Sequence, residues 1–256
     1  MFKEFFQNTS TTSFLIMAAV PTAIAGVGLF VARRTLWQMK ALRSATVISP
    51  DQARLGYFRL EGNAALSSSK TIKAPLTRST CIWYRVRVEE WRRSGSDQKH
   101  DWRTIRDEEC EANFIVAGNG AEFLVDPWKA DITCTDKSLW YGANKEPDER
   151  NPPRFPPWQN PKGDGLQIEI SGGPNSKFRF SEERIYENDP IFVLGEIVDD
   201  DGIIMRKPSD STLPFLISTT EPSQVLKLQK GGIAGALMIS GLGVALLAVL
   251  LWLKLG

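Results

Sequence analysis

The chain is poor in the side chains that carry most enzyme chemistry. It has one histidine, His100, and three cysteines, Cys81, Cys110 and Cys134, in 256 residues. A zinc site takes four Cys or His ligands at close spacing, and a double-zinc module about twice as many. These cysteines are widely separated and form no C-x-x-C pair. So small and odd a number is not a disulfide framework; one bridge stays open, and reduced thiols are the simpler reading. A Cys–His nucleophile would have to use His100, which sits in the polar stretch Lys99-His100-Asp101 beside a turn. No G-x-S-x-G elbow is present. Neither a P-loop nor a G-x-G-x-x-G occurs, and Gly172-Gly173-Pro174 reads as a turn. The adjacent carboxylates Glu89/Glu90 and Glu182/Glu183 fall on opposite strand faces or at a turn and read as solvated. Charge of one sign is lacking as well: 31 Lys and Arg balance 30 Asp and Glu. That balance gives nucleic acid no electrostatic purchase. The expectation is no catalytic residue, no cofactor and no metal.

What is abundant is uncharged apolar sequence, concentrated at the two ends. Residues 231–253 read GGIAGALMISGLGVALLAVLLWL without a charge, and 13–32 read SFLIMAAVPTAIAGVGLFVA. A bilayer core of about 30 Å needs about 20 apolar residues as a helix, so each run is long enough to span. A cleavable leader is the alternative for the first run, but Lys3 is cancelled by Glu4. The basic residues Arg33, Arg34, Lys40 and Arg43 instead follow the apolar stretch, which favours a retained anchor. These four, with Lys227 and Lys230 before the second run, flank the middle of the chain, while only Lys3 and Lys254 lie at the outer ends. The positive-inside rule therefore puts the middle domain in the cytoplasm and both termini outside. Small residues recur at helical spacing: Thr22 with Gly26, then Gly28; and Gly232, Ala236 and Ser240, beside a formal Gly231-xxx-Gly235. Such rows let helix backbones approach closely. Packing of the two spans on each other is expected, with a homo-oligomer through the same faces as the alternative. Pro21 should kink or weaken the first helix.

The organisation that follows is a tail over 1–12 and a first span over 13–32, its helix continuing to about 43. A β-rich domain over 46–220, a juxtamembrane helix over 221–230 and a second span over 231–253 complete it. Within the domain, Ser49-Pro50-Asp51-Gln52 looks like a helix start. Strands are expected at 57–61 (closed by a Gly62-Asn63 turn), 71–74 and 81–91. Others are expected at 102–110, 113–117, 122–125, 177–180, 191–198, 203–206 and 215–218. Alternation through 81–91 puts Cys81, Trp83, Arg85 and Arg87 on one face. The other face, Ile82, Tyr84, Val86 and Val88, is the better core candidate. Trp83, Trp91 and Trp102 are then available for cross-strand stacking. Gly118-Asn119-Gly120 and Asp200-Asp201-Gly202 are hairpin signals. The fold class is mainly β, an antiparallel sandwich or partly closed barrel, flanked by two transmembrane helices. Residues 146–165 carry prolines that exclude regular helix and central strand. They read as a loop, with a polyproline-type recognition arm around Phe155 and Trp158 as the functional alternative.

The middle domain resembles the GIDE domain, also called BAM for "beside a membrane", of the mitochondrial ubiquitin ligase activator (MULAN) family. The resemblance rests on Lys73-Ala74-Pro75-Leu76-Thr77, Cys81-Ile82-Trp83-Tyr84-Arg85, Trp102 and Asn113-Phe114-Ile115-Val116. It continues through Phe123-Leu124-Val125-Asp126-Pro127, Arg184-Ile185, the run from Asp189 to Glu196, and Pro214-Phe215-Leu216-Ile217-Ser218. It implies two spans flanking a β-rich binding and regulatory domain. Two departures are local: Gly118-Asn119-Gly120 where the family has an acidic residue before the hairpin Gly, and Asn188 where it has Gly. The third is at the end. Eukaryotic members carry a RING after the second span, and this sequence stops at Gly256. Ligase activity is thus carried by no residue here. RING-less relatives are typical of prokaryotes, which points to a bacterial inner membrane, whereas eukaryotic members place the domain in the intermembrane space. The functional expectation is a non-enzymatic, membrane-anchored interaction module or scaffold, with the lipid bilayer and a membrane-proximal protein as partners. Its binding features are an exposed edge near Trp91 and the Phe155/Trp158 loop. A ubiquitin-ligase-like function is the alternative that the family name implies, and a hydrolase using Cys81 or Cys110 is a third.

Overall fold

The computed structural model describes residues 10–67, 71–94, 99–146, 167–168, 177–199 and 203–255. The chain divides into two units, one made of its two terminal segments and the other of Ala45–Pro222. The terminal unit holds α1 (Thr11–Ser44) and α2 (Pro222–Leu255), each long and apolar enough to cross a membrane. Pro21 lies inside α1 without ending it, and Thr22 and Thr35 return their hydroxyls to the carbonyls of Ala18 and Val31. A serine or threonine hydroxyl inside a helix commonly bonds in this way to the carbonyl one turn back.

The middle unit is built on fifteen strands among the described residues. In chain order they are β1 (Val47–Ile48), β2 (Gly56–Leu66), β3 (Ile72–Lys73), β4 (Thr80–Cys81) and β5 (Trp83–Ser94). Next come β6 (Lys99–Glu109), β7 (Phe114–Gly118), β8 (Ala121–Val125), β9 (Asp131–Thr133) and β10 (Asp136–Gly142). The last are β11 (Gln167–Ile168), β12 (Phe178–Ile185), β13 (Pro190–Asp199), β14 (Ile203–Arg206) and β15 (Leu216–Ser218). One 3-10 turn occurs among the described residues, Pro50–Gln52, and it starts on Pro50 as the sequence indicates.

Five strands form a partly closed barrel. β2 pairs with β7, β7 with β8, β8 with β14, β14 with β13, and β13 returns to β2; only β8–β14 is parallel. This order, with that one parallel pair, is the topology of the OB-fold, a fold that by itself assigns no ligand. Closure depends on β2. Its residues 56–63 pair with β13, while 63–66 pair with β7. The turn expected at Gly62-Asn63 is instead the point where one continuous strand changes partners. A Cβ on Gly62 would lie 2.5 Å from the Ala117 carbonyl oxygen, so glycine here permits close backbone approach. The turn between β7 and β8 uses Asn119 (φ 52°) and Gly120 (φ 77°), the left-handed pair a two-residue hairpin demands. The barrel is filled by Leu60, Phe114, Val116, Val125, Ile197 and Met205, among others, all essentially without solvent exposure.

Two insertions into the barrel meet to form a second sheet. The β5–β6 hairpin lies between the first and second barrel strands, and β10, β11 and β12 lie between the third and fourth. Their order is β11-β10-β12-β5-β6. One face packs Leu76, Val86, Val88, Trp140 and Phe180 together. The alternation expected through 81–91 breaks at Ile82, which separates β4 from β5. Cys81, Ile82 and Trp83 are consequently all buried. Trp83 pairs with Ile185 in the core rather than joining an outer aromatic row. No strand is expected from sequence at β1, β9, β10 or β11, and β12 runs five residues beyond the 177–180 expected.

Candidate functional site

At the hairpin end of the second sheet, aromatic rings form a continuous strip. Pairing sets Trp91 opposite Trp102, after a register shift between Val88 and Glu89. Their ring centroids are 5.1 Å apart at 50°. His100 stacks on Trp91 at 5.7 Å and 16°, and Tyr141 of β10 lies 5.8 Å from Trp102 at 52°. The Arg179 guanidinium sits over Trp102, 4.8 Å from the ring centroid. It is also held in a fork by Glu89, at 2.5 and 2.7 Å, which raises the Arg179 pKa. Each such ring contact contributes about 0.5–1.5 kcal/mol beyond area burial. Trp91 remains 41% exposed and His100 is exposed. Trp91 is one strand in from the border, since β6 is the outermost strand on that side. Further along the same strands the pairs Arg85–Glu109 and Arg87–Asp107 take over, with Lys137–Glu183 on β10 and β12. Exposed pairs of this kind add little stability, but they leave the strip as the less polar part of the sheet. Phe155 and Trp158 lie outside the described residues.

A second cluster is buried. Glu182, read from sequence as solvated, has no exposure at all, and Arg184 has almost none. Glu182 accepts hydrogen bonds from the Leu76 and Thr77 N–H groups at 2.8 and 3.2 Å, and from the Thr77 hydroxyl. Arg184 donates to that hydroxyl at 2.9 Å, to Ser138 at 2.5 Å and to Asp136 at 2.7 Å, and approaches Glu182 at 3.3 Å. The hydroxyl of Thr77 thus donates to the acid and accepts from the base. Alternation explains the pairing: residues 182 and 184 share a strand face, and that face is covered by the Ala74–Thr77 turn. The cluster joins two separated motifs, Ala74-Pro75-Leu76-Thr77 and Arg184-Ile185, and Ile82 N–H adds a bond to the Ile185 carbonyl at 2.8 Å. Every polar group in it is engaged within the protein, so its role is to hold the turn on the sheet. The only sequence sign of it is an acid and a base two apart, Glu182 and Arg184, just beyond the strand expected over 177–180.

The cysteines are poor nucleophiles. Burial pushes the Cys81 thiol up to about 12 and also raises Cys110 and Cys134. A thiol held protonated attacks slowly.

In the terminal unit, α1 and α2 meet through small residues. The Ser240 hydroxyl donates to the Ala25 carbonyl at 3.1 Å. A Cβ on Gly28 would lie 2.6 Å from the Ala236 carbonyl oxygen, and one on Gly243 would lie 2.7 Å from that of Pro21. Ala236 and Ser240 are buried in this contact. Gly26 and Gly232 have open space where a Cβ would go, and Thr22 is exposed. The contact therefore runs through Ala25, Gly28 and Gly243, one helical face away from the Thr22–Gly26 row.

Comparison with curated proteins and with solved structures found no match. Comparison with family models matched residues 84–253 to the GIDE model, described as E3 Ubiquitin ligase. That span takes in β5 through β15 and nearly all of α2, and with it the aromatic strip, Glu182 and Arg184. On that match the chain belongs to the GIDE family.

Proposed function

We propose that this chain is a membrane-anchored, non-enzymatic interaction module. In this reading α1 and α2 cross a bilayer and the domain stands on the cytoplasmic side of a bacterial inner membrane. A membrane-proximal protein binds at the strip of His100, Trp91, Trp102 and Tyr141. The observation that carries the proposal is the strip itself: partly exposed aromatics packed on one another, with an arginine beside them, are the residue types that protein partners use as anchors. The basic flanks Arg33, Arg34, Lys227 and Lys230 support the orientation. Phe155 and Trp158 join the proposed contact on sequence grounds alone.

The test is cross-linking and co-purification from native membrane, comparing the unaltered chain with Trp91→Ala, Trp102→Ala and Phe155→Ala/Trp158→Ala. Loss of the same partner band in the strip variants, with unchanged melting, supports the assignment. Identical partners in all of them overturn it. Labelling of an introduced exposed cysteine at Thr104 by an impermeant reagent in intact cells would overturn the orientation.

The family description favours a second reading, a ubiquitin-ligase-like activity. Within these 256 residues the Cys and His side chains are too few for a RING. Ubiquitin transfer by the purified chain with the activating and conjugating enzymes would establish this reading against the first.

A further inference from the structure

Within the terminal unit, the two apolar runs end side by side. α1 and α2 run antiparallel: a Cβ on Gly28 would meet Ala236 and Ser240, and one on Gly243 would meet Pro21 and Ala25. Each residue gained along α1 is matched by one lost along α2, so Lys230 comes about level with Leu36 and Lys227 with Met39. Six cations therefore gather just past the ends of the apolar runs: Arg33, Arg34, Lys40, Arg43, Lys227 and Lys230. From Arg33 to Arg43 the helix rises about 15 Å.

All six are exposed. None makes an ion pair or side-chain hydrogen bond among the described residues. Residues 10–44 and 223–255 contain no Asp or Glu, and with Lys254 they carry a formal charge of +7. Subtracting that from the chain's +1 leaves −6 for the rest. The near-neutral total thus hides a separation of charge between the helices and the remainder.

Orientation across a bilayer is set by Lys and Arg whatever acids stand among them. The missing acids are a separate feature, and they leave the positive charge free for a ligand. Arginine forks and lysine ammoniums both suit phosphate oxygens. Arg33, Arg34 and Lys230 stand at the border of the apolar runs, and the longer reach from Lys40, Arg43 and Lys227 is within the bending range of such side chains. Trp37, partly exposed among them, is the ring type that settles at headgroup level. A nucleic acid arriving through water would also meet the −6 of the rest. A headgroup is brought to the helices by its own acyl chains.

We propose that this cationic collar binds the phosphate of acidic phospholipids, the class whose phosphodiester charge no headgroup ammonium cancels. The inference rests on the reading that α1 and α2 cross a bilayer.

The experiment titrates the full chain in nonionic micelles with phosphatidylglycerol or with phosphatidylcholine of the same acyl chains, bound lipid being counted by native mass spectrometry. One cation near an anionic lipid surface contributes about fivefold, so a phosphate reached by two should favour phosphatidylglycerol about twentyfold. Arg33→Gln, Arg34→Gln and Lys230→Gln made together should erase most of that preference. Arg33→Lys with Arg34→Lys, which keeps the charge, should retain it, as should Lys254→Gln at the far end of α2. Glutamine is nearly as good a helix former as Lys or Arg, so the helical circular dichroism should not change. Equal binding of the two lipids by the unaltered chain overturns the proposal, as does an undiminished preference when all six cations are Gln. Displacement of phosphatidylglycerol by soluble glycerol phosphate or single-stranded DNA at equal concentration overturns the lipid source. Alkaline extraction from vesicles of the same lipids separates this proposal from the reading beneath it. Release from the bilayer defeats the spanning reading, whereas retention with no preference for the acidic lipid defeats this proposal alone.

Discussion

Removing the Glu182 carboxylate tests the argument most severely, because a side chain read from sequence as solvated is claimed to hold two parts of the domain together. In Glu182→Ala three donors lose their acceptor: the Leu76 and Thr77 N–H groups and the Thr77 hydroxyl. Arg184 keeps Asp136 and Ser138 but loses its buried counter-charge. A buried donor left unpaired costs about 1–3 kcal/mol, and breaking one side of a buried ion pair costs about 3–5 kcal/mol in total. These overlap, since they count the same atoms, so the expected loss is about 3–5 kcal/mol. Against a typical total of about 5–15 kcal/mol that is a large fraction. The assay is urea unfolding of the full chain in micelles, followed by fluorescence of the buried Trp83 and Trp140. The midpoint should fall with the slope unchanged, because the surface exposed on unfolding is nearly the same. Arg184→Met added to Glu182→Ala should recover part of the loss by removing the stranded charge. A loss below about 1 kcal/mol in the single variant would refute the reasoning, because it would mean water already reaches these groups.

Three other outcomes follow from single positions. Asn188 sits at φ 67°, in the region that glycine enters freely and asparagine tolerates; Asn188→Gly should change the unfolding midpoint little, and Asn188→Val should cost about 1–2 kcal/mol. Gly28→Leu should separate α1 from α2, read as lost disulfide cross-linking between cysteines placed at Ala25 and Ser240, whereas Gly26→Leu, pointing into open space, should leave the cross-link intact. Burial holds the Asp189 carboxyl above its ordinary 3.8, with the Tyr186 N–H bond opposing. A carboxyl that keeps its proton longer when folded contributes stability at low pH that is lost as pH rises from that ordinary value through the folded one. Asp189→Asn should remove this part of the pH dependence, seen as a flatter stability profile than the unaltered chain over that interval.

Several features were legible because they depend on neighbours in sequence. The two apolar runs, the hairpin at Asn119-Gly120, the helix start at Pro50 and the β13–β14 pair follow from local composition and periodicity, and the structure places all of them where expected. Partly legible was the strip. Trp91 and Trp102 flank an evident turn, so their pairing follows from hairpin register, but Tyr141 and Arg179 reach them only because a distant insertion pairs alongside. Not legible were Trp83 and Glu182. Strand periodicity says which residues share a face and nothing of what covers that face. Trp83 is buried because Ile82 interrupts the strand and Ile185 packs beside it; Glu182 is buried because the Ala74–Thr77 turn folds over it, over a hundred residues away in sequence. Gly62 marks the same limit, since a glycine before an asparagine reads as a turn until the Ala117 carbonyl occupies the place of its missing Cβ. By itself the sequence determined the two membrane-length helices, the β class of the middle and the poverty of catalytic side chains, all properties of composition and local order. Only the tertiary structure decided how two insertions form one sheet, which carboxylate is buried, and where β2 changes partners. Each of these depends on residues far apart in the chain excluding water from one another.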